Sequence, residues 1–511
     1  MHLSQGTALT ILLLSYLVLL PITYISDPQI ITGGNDMANL IPAAMQVNDP
    51  ELFSRDSFFA DFVRIYPKPF LYAYAFLFEL TGDFILVNYF ISSLCYILFM
   101  FGVYFLLQDQ FRDRSVALVS VLLCIAVRPA LNIAFNMSLG LAIPRNVIIA
   151  LSPWILLGSL RLIDQNKTFD WGWGLLFFGL GLLANVHPLT AGHLLLIILG
   201  VIMLKSTLSL KQKLLVSLFG FAAFTGGALP FIVDNILSVS GGGIAPRSLI
   251  LERAWSNLPP YPRNLGNYGL FVLHILPFLI VGFVGYLLST KRQQAFLRVG
   301  IVTCAVVVLT SLEYVWPKAV TFGFLRASVW LYLPLFAYSS VVIVSLWAGD
   351  LIKKISAIVL LLVLGIPALV IIPIVDISTE VYSALSGYSP YEFPHGDWVT
   401  YQHEVLALGE WMKTSTPKSS LFLIPPRGLE HLRMYGQRSL VVTHKAVVII
   451  ERDSALRWEL VYKDVEVAYR DGHISKAAVR YDADFVVVEK TEKALELPLV
   501  YENTRFLVYR V

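Results

Sequence analysis

Apolar runs of about 20 residues, the length that crosses a bilayer, recur along this 511-residue chain as far as residue 375. A chain built this way must fold inside a membrane. With 57% hydrophobic residues and a mean hydropathy of +0.69, it carries more apolar surface than a water-soluble fold can hide. Spans are expected at about 7–25, 84–107, 115–134, 146–163, 171–186, 189–204, 214–235, 269–288, 299–316, 326–347 and 355–375, eleven in all.

Basic residues fix the orientation. Arg112 and Arg114, then Arg161 and Lys167, then Lys205, Lys211 and Lys213, then Lys291, Arg292 and Arg298, then Lys353 and Lys354 fall in short loops after alternate spans. Short loops rich in Lys and Arg stay in the cytoplasm. The amino terminus is therefore expected inside, and an odd number of spans sends the tail outside. No small-residue cleavage motif follows the first span, which reads as an uncleaved anchor. Compact loops and the lack of an organelle signal suit a bacterial inner membrane. A net charge of only +3 argues against a nucleic-acid partner. Cys95, Cys124 and Cys304 all lie in apolar spans, so neither a disulfide framework nor a cysteine metal site is available. The triplet Asn166-Lys167-Thr168 fits a glycosylation acceptor but falls on the cytoplasmic side, and reads as chance.

The expected division is a membrane domain over 1–375 and a soluble domain over 376–511, joined by a turn-rich linker from Ser386 to Pro394. In the tail, Glu404 to Lys413 has helical spacing and Ser420 to Ile424 is a short apolar strand. Ala446 to Tyr469 looks largely helical, Asp484 to Glu489 reads as a buried strand, and Leu499–Tyr501 with Phe506–Tyr509 reads as a hairpin. Interleaved strands and helices predict a small α/β domain. It has no nucleotide-binding glycine fingerprint, which argues against a nucleotide-sugar enzyme of cytosolic type.

Two outer loops, 26–83 and 236–268, are too long to be connectors and too apolar to be disordered, which marks them as binding elements. Polar residues gather on the same side. Asp36 and Asp56 lie in the first loop, Arg145 at the start of the fourth span and His187 at the turn between the fifth and sixth. Arg247 lies in the second loop, Glu313 at the end of the ninth span and Arg326 at the start of the tenth. Ionisable groups at the bilayer edge are expensive and tend to line a site. Outside the cytoplasm there is no pool of nucleotide sugars, so a sugar donor has to arrive on a lipid carrier whose phosphate sits at the interface. Arginine binds such a phosphate bidentately and stays charged. A carboxylate beside the reacting carbon can take the proton of an acceptor hydroxyl. Asp36 as base, with Arg145, Arg247 and Arg326 on the phosphate, satisfies that chemistry.

The first span, followed by a loop with Gly34-Asn35-Asp36 and later Asn48-Asp49-Pro50-Glu51-Leu52-Phe53-Ser54-Arg55-Asp56, resembles the GT-C membrane glycosyltransferases. The turn Ala184-Asn185-Val186-His187-Pro188, the many spans and the outer carboxy-terminal domain extend the resemblance over the whole layout. It implies a polytopic α-helical GT-C-like fold of about 11 helices with a small extracytoplasmic α/β domain. It also implies a polyprenyl-phosphate-linked sugar donor, an acidic catalytic residue in the first loop, and a glycan, lipid or protein acceptor. The lone Asp36 stands where many members carry an acidic pair, which leaves open whether Asp36 or Asp56 is the base and whether a divalent cation is bound.

Blander readings stand beside these. Asp36 can cap a helix beginning near Met37, and Asp56 can pair with Arg55 or cap its own turn. Arg145, Arg247 and Arg326 can snorkel to headgroups, His187 can sit at a helix break, and Glu313 can pair with Arg326 or Lys318. His395, Asp397 and His403 match no standard zinc spacing. The competing functions are a transporter or flippase, which should show internal repeats and deep charges, and a non-catalytic envelope-polysaccharide assembly protein. Arg128 is the one deep charge noticed, and no repeat is evident.

Overall fold

The computed structural model describes residues 4–26, 37–126, 142–165, 170–205, 207–234, 265–312, 316, 322–364, 398–444, 446, 448, 451–490 and 494–511. Helix α1 (Gln5–Ser26) is followed by three helices, α2 (Met37–Asn48), α3 (Ser57–Ile65) and α4 (Lys68–Thr81). The helical body continues through α5 (Phe84–Phe111), α6 (Arg114–Ala126), α7 (Pro144–Asp164), α8 (Trp171–Ala184), α9 (Pro188–Met203), α10 (Leu210–Gly227), α11 (Leu265–Leu288) and α12 (Leu297–Val308). A 3₁₀ stretch, Phe324–Leu331, runs into α13 (Tyr332–Trp347), and a further helix, α14, covers 351–364.

Among the described residues four helical stretches are long and apolar enough to cross a membrane: Phe84–Phe111, Pro144–Asp164, Lys291–Ser311 and Arg326–Trp347. Shorter apolar helices cover Gln5–Val18, Arg114–Ile125, Trp171–Ala184, Pro188–Met203 and Ile275–Leu288. Their outward faces carry large apolar side chains in continuous stripes. Leu86, Phe90 and Leu94 on α5 are each at least half exposed, as are Ile280, Phe283 and Leu287 on α11. Stripes at helical spacing and of this extent belong against lipid.

Within the body, packing rests on small residues and aromatic pairs. A Cβ on Gly181 would be driven into the Phe224 carbonyl, and one on Gly227 into that of Phe178, so α8 and α10 touch backbone to backbone. Gly285 allows the same approach of α11 to the Tyr338 carbonyl of α13.

The tail is an α/β unit. It comprises α15 (Trp398–Ser415), β1 (Leu421–Leu423), α16 (Leu432–Gly436), β2 (Ser439–Leu440), α17 (Arg452–Asp471), α18 (Ile474–Arg480), β3 (Phe485–Glu489), β4 (Leu499–Glu502) and β5 (Phe506–Arg510). The strands lie in the order β2-β1-β3-β5-β4, the first three parallel and the last two pairings antiparallel. Alternate side chains face opposite ways. Leu421, Leu423, Val486 and Val488 pack under α17 and α18, whereas Phe422, Val487 and Val508 pack under α15 and α16.

Expected and observed elements differ in two places. Loop 26–83 is mostly helical from Met37 onward, because Phe53, Phe59, Phe70 and Tyr74 bury themselves in a core of their own rather than against the spans alone. The helix expected over Ala446–Tyr469 starts only at Arg452, after Glu451 in extended conformation. The domain boundary at 375 and the linker Ser386–Pro394 lie outside the described residues.

Candidate functional site

The two ends of the helical body differ in chemistry. At one end, the Arg161 guanidinium donates to Asp109 Oδ1 at 3.0 and 3.1 Å, and Lys205 Nζ reaches Asp164 at 3.1 Å. Gln293 Nε2 donates to the Phe111 carbonyl at 2.9 Å, and Lys213 Nζ to that of Met203 at 2.8 Å. Four of the five basic loops are thereby gathered on a single face. The opposite end holds a separate apolar core. Met37, Leu40 and Ile41 of α2, Phe53, Phe59 of α3 and Tyr74 of α4 pack there with Val87, Ala142, Ile143, Val147 and Val186, and Met434 and Tyr435 join from the tail.

That core determines where the expected site residues fall. Asp36 lies outside the described residues, but Met37, next to it, is buried in the core and opens α2. Arg145 is the second residue of α7, half-buried after Pro144, and Ile143 just before it belongs to the same core. The amide end of a helix favours an anion there. His187 caps α9: its Nδ1 accepts from the Thr190 amide at 3.3 Å and lies 2.8 Å from the Thr190 hydroxyl, which puts the neutral ring's proton on Nε2. Val186, preceding it, packs on the core. Arg326, half-buried in the 3₁₀ stretch, lies within electrostatic reach of His193 on α9. The chain beside Asp36, Arg145 and His187 thus meets in one cluster, with Arg326 at the same end of the body.

Asp56 is placed differently from an open carboxylate. Its Oδ1 accepts from the Phe59 amide at 3.0 Å, capping α3, and its Oδ2 accepts from Arg433 at 2.8 and 2.9 Å and from the Leu440 amide at 3.2 Å. Both side chains of the pair are fully buried. Arg55 is paired elsewhere, with Asp482 at 2.9 Å and Asp484 at 2.6 Å. Arg247, Glu313, Arg128 and Lys318 lie outside the described residues, as do His395, Asp397 and the triplet Asn166-Lys167-Thr168; His403 is exposed on α15. Among the described residues no three His, Cys, Asp or Glu side chains come together as a metal site.

Arg433 is the residue that sequence reasoning misses. From α16 it reaches Asp56, Asn39 Oδ1 at 3.1 Å and Thr443 Oγ1 at 3.3 Å, and lies 4.6 Å over the Phe59 ring. Asn39 stands three residues after Asp36, so this one guanidinium joins the tail to the helix that starts beside Asp36. An arginine in an otherwise apolar stretch, Leu432 to Tyr435, is the only sequence signal. Lys68, in the turn Tyr66–Pro69, is a further cation near the core. Burial pushes its ammonium below the ordinary range, Asp234 opposes the shift, and Nζ donates to the Val63 carbonyl at 2.7 Å.

Around the buried pair, a ring of ionic contacts holds loop residues 49–64 to the tail: Asp49 with Lys418 at 2.8 Å, Asp61 with Arg457 and Ser454 at 2.6 Å, and Arg64 with Glu451. Residues 403–464, which match the model of a Domain of unknown function (DUF6798), supply every tail partner just named as well as Arg433. No curated protein sequence matches the chain.

Among solved structures, the chain is similar to the oligosaccharyltransferase of Archaeoglobus fulgidus. Its apo crystal structure aligns with a TM-score of 0.52 at 12% identity, over 95% of this chain and 70% of that one. The same enzyme tethered through a disulfide to an acceptor peptide containing the NVT sequon aligns with a TM-score of 0.48 at 11% identity, over 88% and 64%. The chain shares the fold of that oligosaccharyltransferase. This chain is a membrane protein of that architecture, with a small carboxy-terminal sheet.

Proposed function

We propose that the protein is a membrane glycosyltransferase that moves a sugar from a polyprenyl-phosphate carrier to an extracytoplasmic acceptor, a glycan, lipid or protein. The observation that carries this reading is the single apolar core, opposite the basic loops, that gathers the residues adjoining Asp36, Arg145 and His187. The shared fold with an oligosaccharyltransferase supports it. In this reading eleven helices cross a bacterial inner membrane. The basic loops face the cytoplasm with the amino terminus, and the tail domain, from about residue 376, lies outside.

Asp36 is the general base. As the acceptor oxygen bonds to the anomeric carbon, its proton passes to the Asp36 carboxylate. The bond from that carbon to the phosphate oxygen breaks, and its electron pair stays on the phosphate. Arg145, Arg247 and Arg326 neutralise the leaving lipid phosphate, which needs charge stabilisation rather than protonation. His187 and Glu313 line the substrate site, and the Asp56–Arg433 pair sets the position of α2.

Transfer from a radiolabelled polyprenyl-phosphate sugar by the purified protein tests the reading. Asp36→Asn should lower the rate by about 10²–10⁴ with the fold unchanged. Full activity in that variant removes Asp36 as base, and absence of transfer from any polyprenyl sugar removes the enzyme reading.

A further inference from the structure

Of the buried side-chain atoms of the helical body that have no hydrogen-bond partner among the described residues, five lie on or beside three adjoining elements. They are His193 Nδ1 on α9, Thr303 Oγ1 on α12, Thr310 Oγ1 just beyond its end, and Ser328 Oγ and Trp330 Nε1 on the 3₁₀ stretch Phe324–Leu331. Thr303 and Ser328 are wholly inaccessible and Trp330 nearly so. The three elements touch. Gly200 of α9 faces Val302, Gly300 of α12 faces Pro334 directly after the 3₁₀ stretch, and the His193 ring stands 5.8 Å from that of Phe324.

An unmade hydrogen bond at a buried donor or acceptor costs about 1–3 kcal/mol, and such groups are almost always satisfied. Five on three adjoining elements require something to bond to. The tautomer of His193 narrows what that is. Nε2 lies 2.7 Å from the Phe322 carbonyl oxygen, which can only accept, so Nε2 carries the proton and the neutral ring presents a lone pair at Nδ1. The Trp330 indole can only donate. A ligand serving both must donate to one and accept from the other, which a fully ionised anion or an ammonium cannot do and a hydroxyl or a water molecule can. Thr303 and Thr310, two turns apart on one face, give the row a length of about 10 Å. Arg326 lies within electrostatic reach of His193.

We propose that α9, α12 and Phe324–Leu331 enclose an elongated hydroxyl-binding pocket. Its ligand is ordered water or the hydroxyl groups of a bound saccharide. The saccharide source rests on the glycosyltransferase reading above; the pocket itself does not.

The test uses the full chain in lipid nanodiscs. A density map fine enough to show ordered water should place an oxygen within about 3 Å of His193 Nδ1 and of Trp330 Nε1; a dry, closed contact at both atoms overturns the proposal. Binding of a short-chain polyprenyl phosphate hexose and of the bare polyprenyl phosphate then identifies the source. His193→Phe keeps the ring and removes the acceptor. With a saccharide in the pocket, it weakens the hexosyl lipid about tenfold, the equivalent of one hydrogen bond, and leaves the bare lipid unchanged. With water alone, both lipids bind wild type and variant equally while the oxygen density persists. Thr310→Val serves the same purpose if the His193 variant does not fold. Loss of the transferase reading, seen as full activity of Asp36→Asn, leaves the map result standing and so fails separately.

Discussion

The ion pairs at the two ends of the helical body are alike in composition and opposite in setting. Arg161 and Asp109, at the basic end, keep the guanidinium more than half exposed, whereas Arg433 and Asp56, where the first loop meets the tail, are both fully buried. A surface pair gains little from its partner because water solvates each charge almost as well. A buried pair has lost that solvation, and removing one member strands the other. The ion pair at the basic end therefore adds little to stability, whereas the buried pair ties the first loop to the tail in one register. The fixed end is the one where loop residues 49–64 are tied to the tail and where α2 begins beside Asp36.

The largest expected effect follows from removing Arg433. Arg433→Met leaves the Asp56 carboxylate buried beside the apolar Phe59 ring and should lower stability by about 3–5 kcal/mol. Arg161→Met at the basic end should change it by no more than about 1 kcal/mol. Adding Asp56→Leu to Arg433→Met should restore much of the loss, since no lone charge remains. Thermal or denaturant unfolding in nanodiscs measures all of these, and equal losses at both ends would mean that the two ends are held alike. Next in size is a change within the body, which is held by close packing and not by charge. Gly285→Ala drives a Cβ into the Tyr338 carbonyl and should cost about 1–3 kcal/mol by separating α11 from α13. Gly179, with open space around its would-be Cβ, is the control, and Gly179→Ala should be neutral or better.

What the sequence reveals of this arrangement depends on the range of the interactions. Apolar runs and basic loops are local signals, so among the described residues helices fall where the runs fall and four of the five basic loops share one face. In the tail, β1, β3 and the hairpin β4–β5 are legible because their strands are apolar and bounded by turns. β2 is not legible: it has two residues, and it pairs only because β1 offers a parallel edge at Leu421 and Phe422. The capping role of Asp56 is local and readable; its pairing with Arg433 spans 377 positions, and no pattern near either residue announces it. His193 is similar. A histidine inside an apolar run signals a polar contact, but the carbonyl that fixes its tautomer belongs to Phe322, far along the chain.

The smallest expected effect concerns the rim of the fixed end, and its sign with pH can be worked out. Lys418, hydrogen-bonded to Asp49, holds that carboxyl below its ordinary 3.8, and Asp49 in turn holds the Lys418 ammonium above its ordinary 10.5. A lowered carboxyl stabilises the contact above the unfolded value and stops doing so as pH falls through the folded one. A raised ammonium stabilises below the unfolded value and stops as pH climbs through the folded one. The link between loop and tail should therefore be constant across the neutral range, weaken under acid below 3.8 and weaken again under alkali above 10.5. Lys418 is exposed and Asp49 partly so, so the change should be slight and suppressed by salt. Hydrogen exchange of residues 49–56 against pH, in wild type and Lys418→Met, measures it. Protection that falls in acid in the wild type and is already reduced and flat in the variant assigns the acid step to this pair. A fall of equal size in both would mean that this pair does not set the acid step.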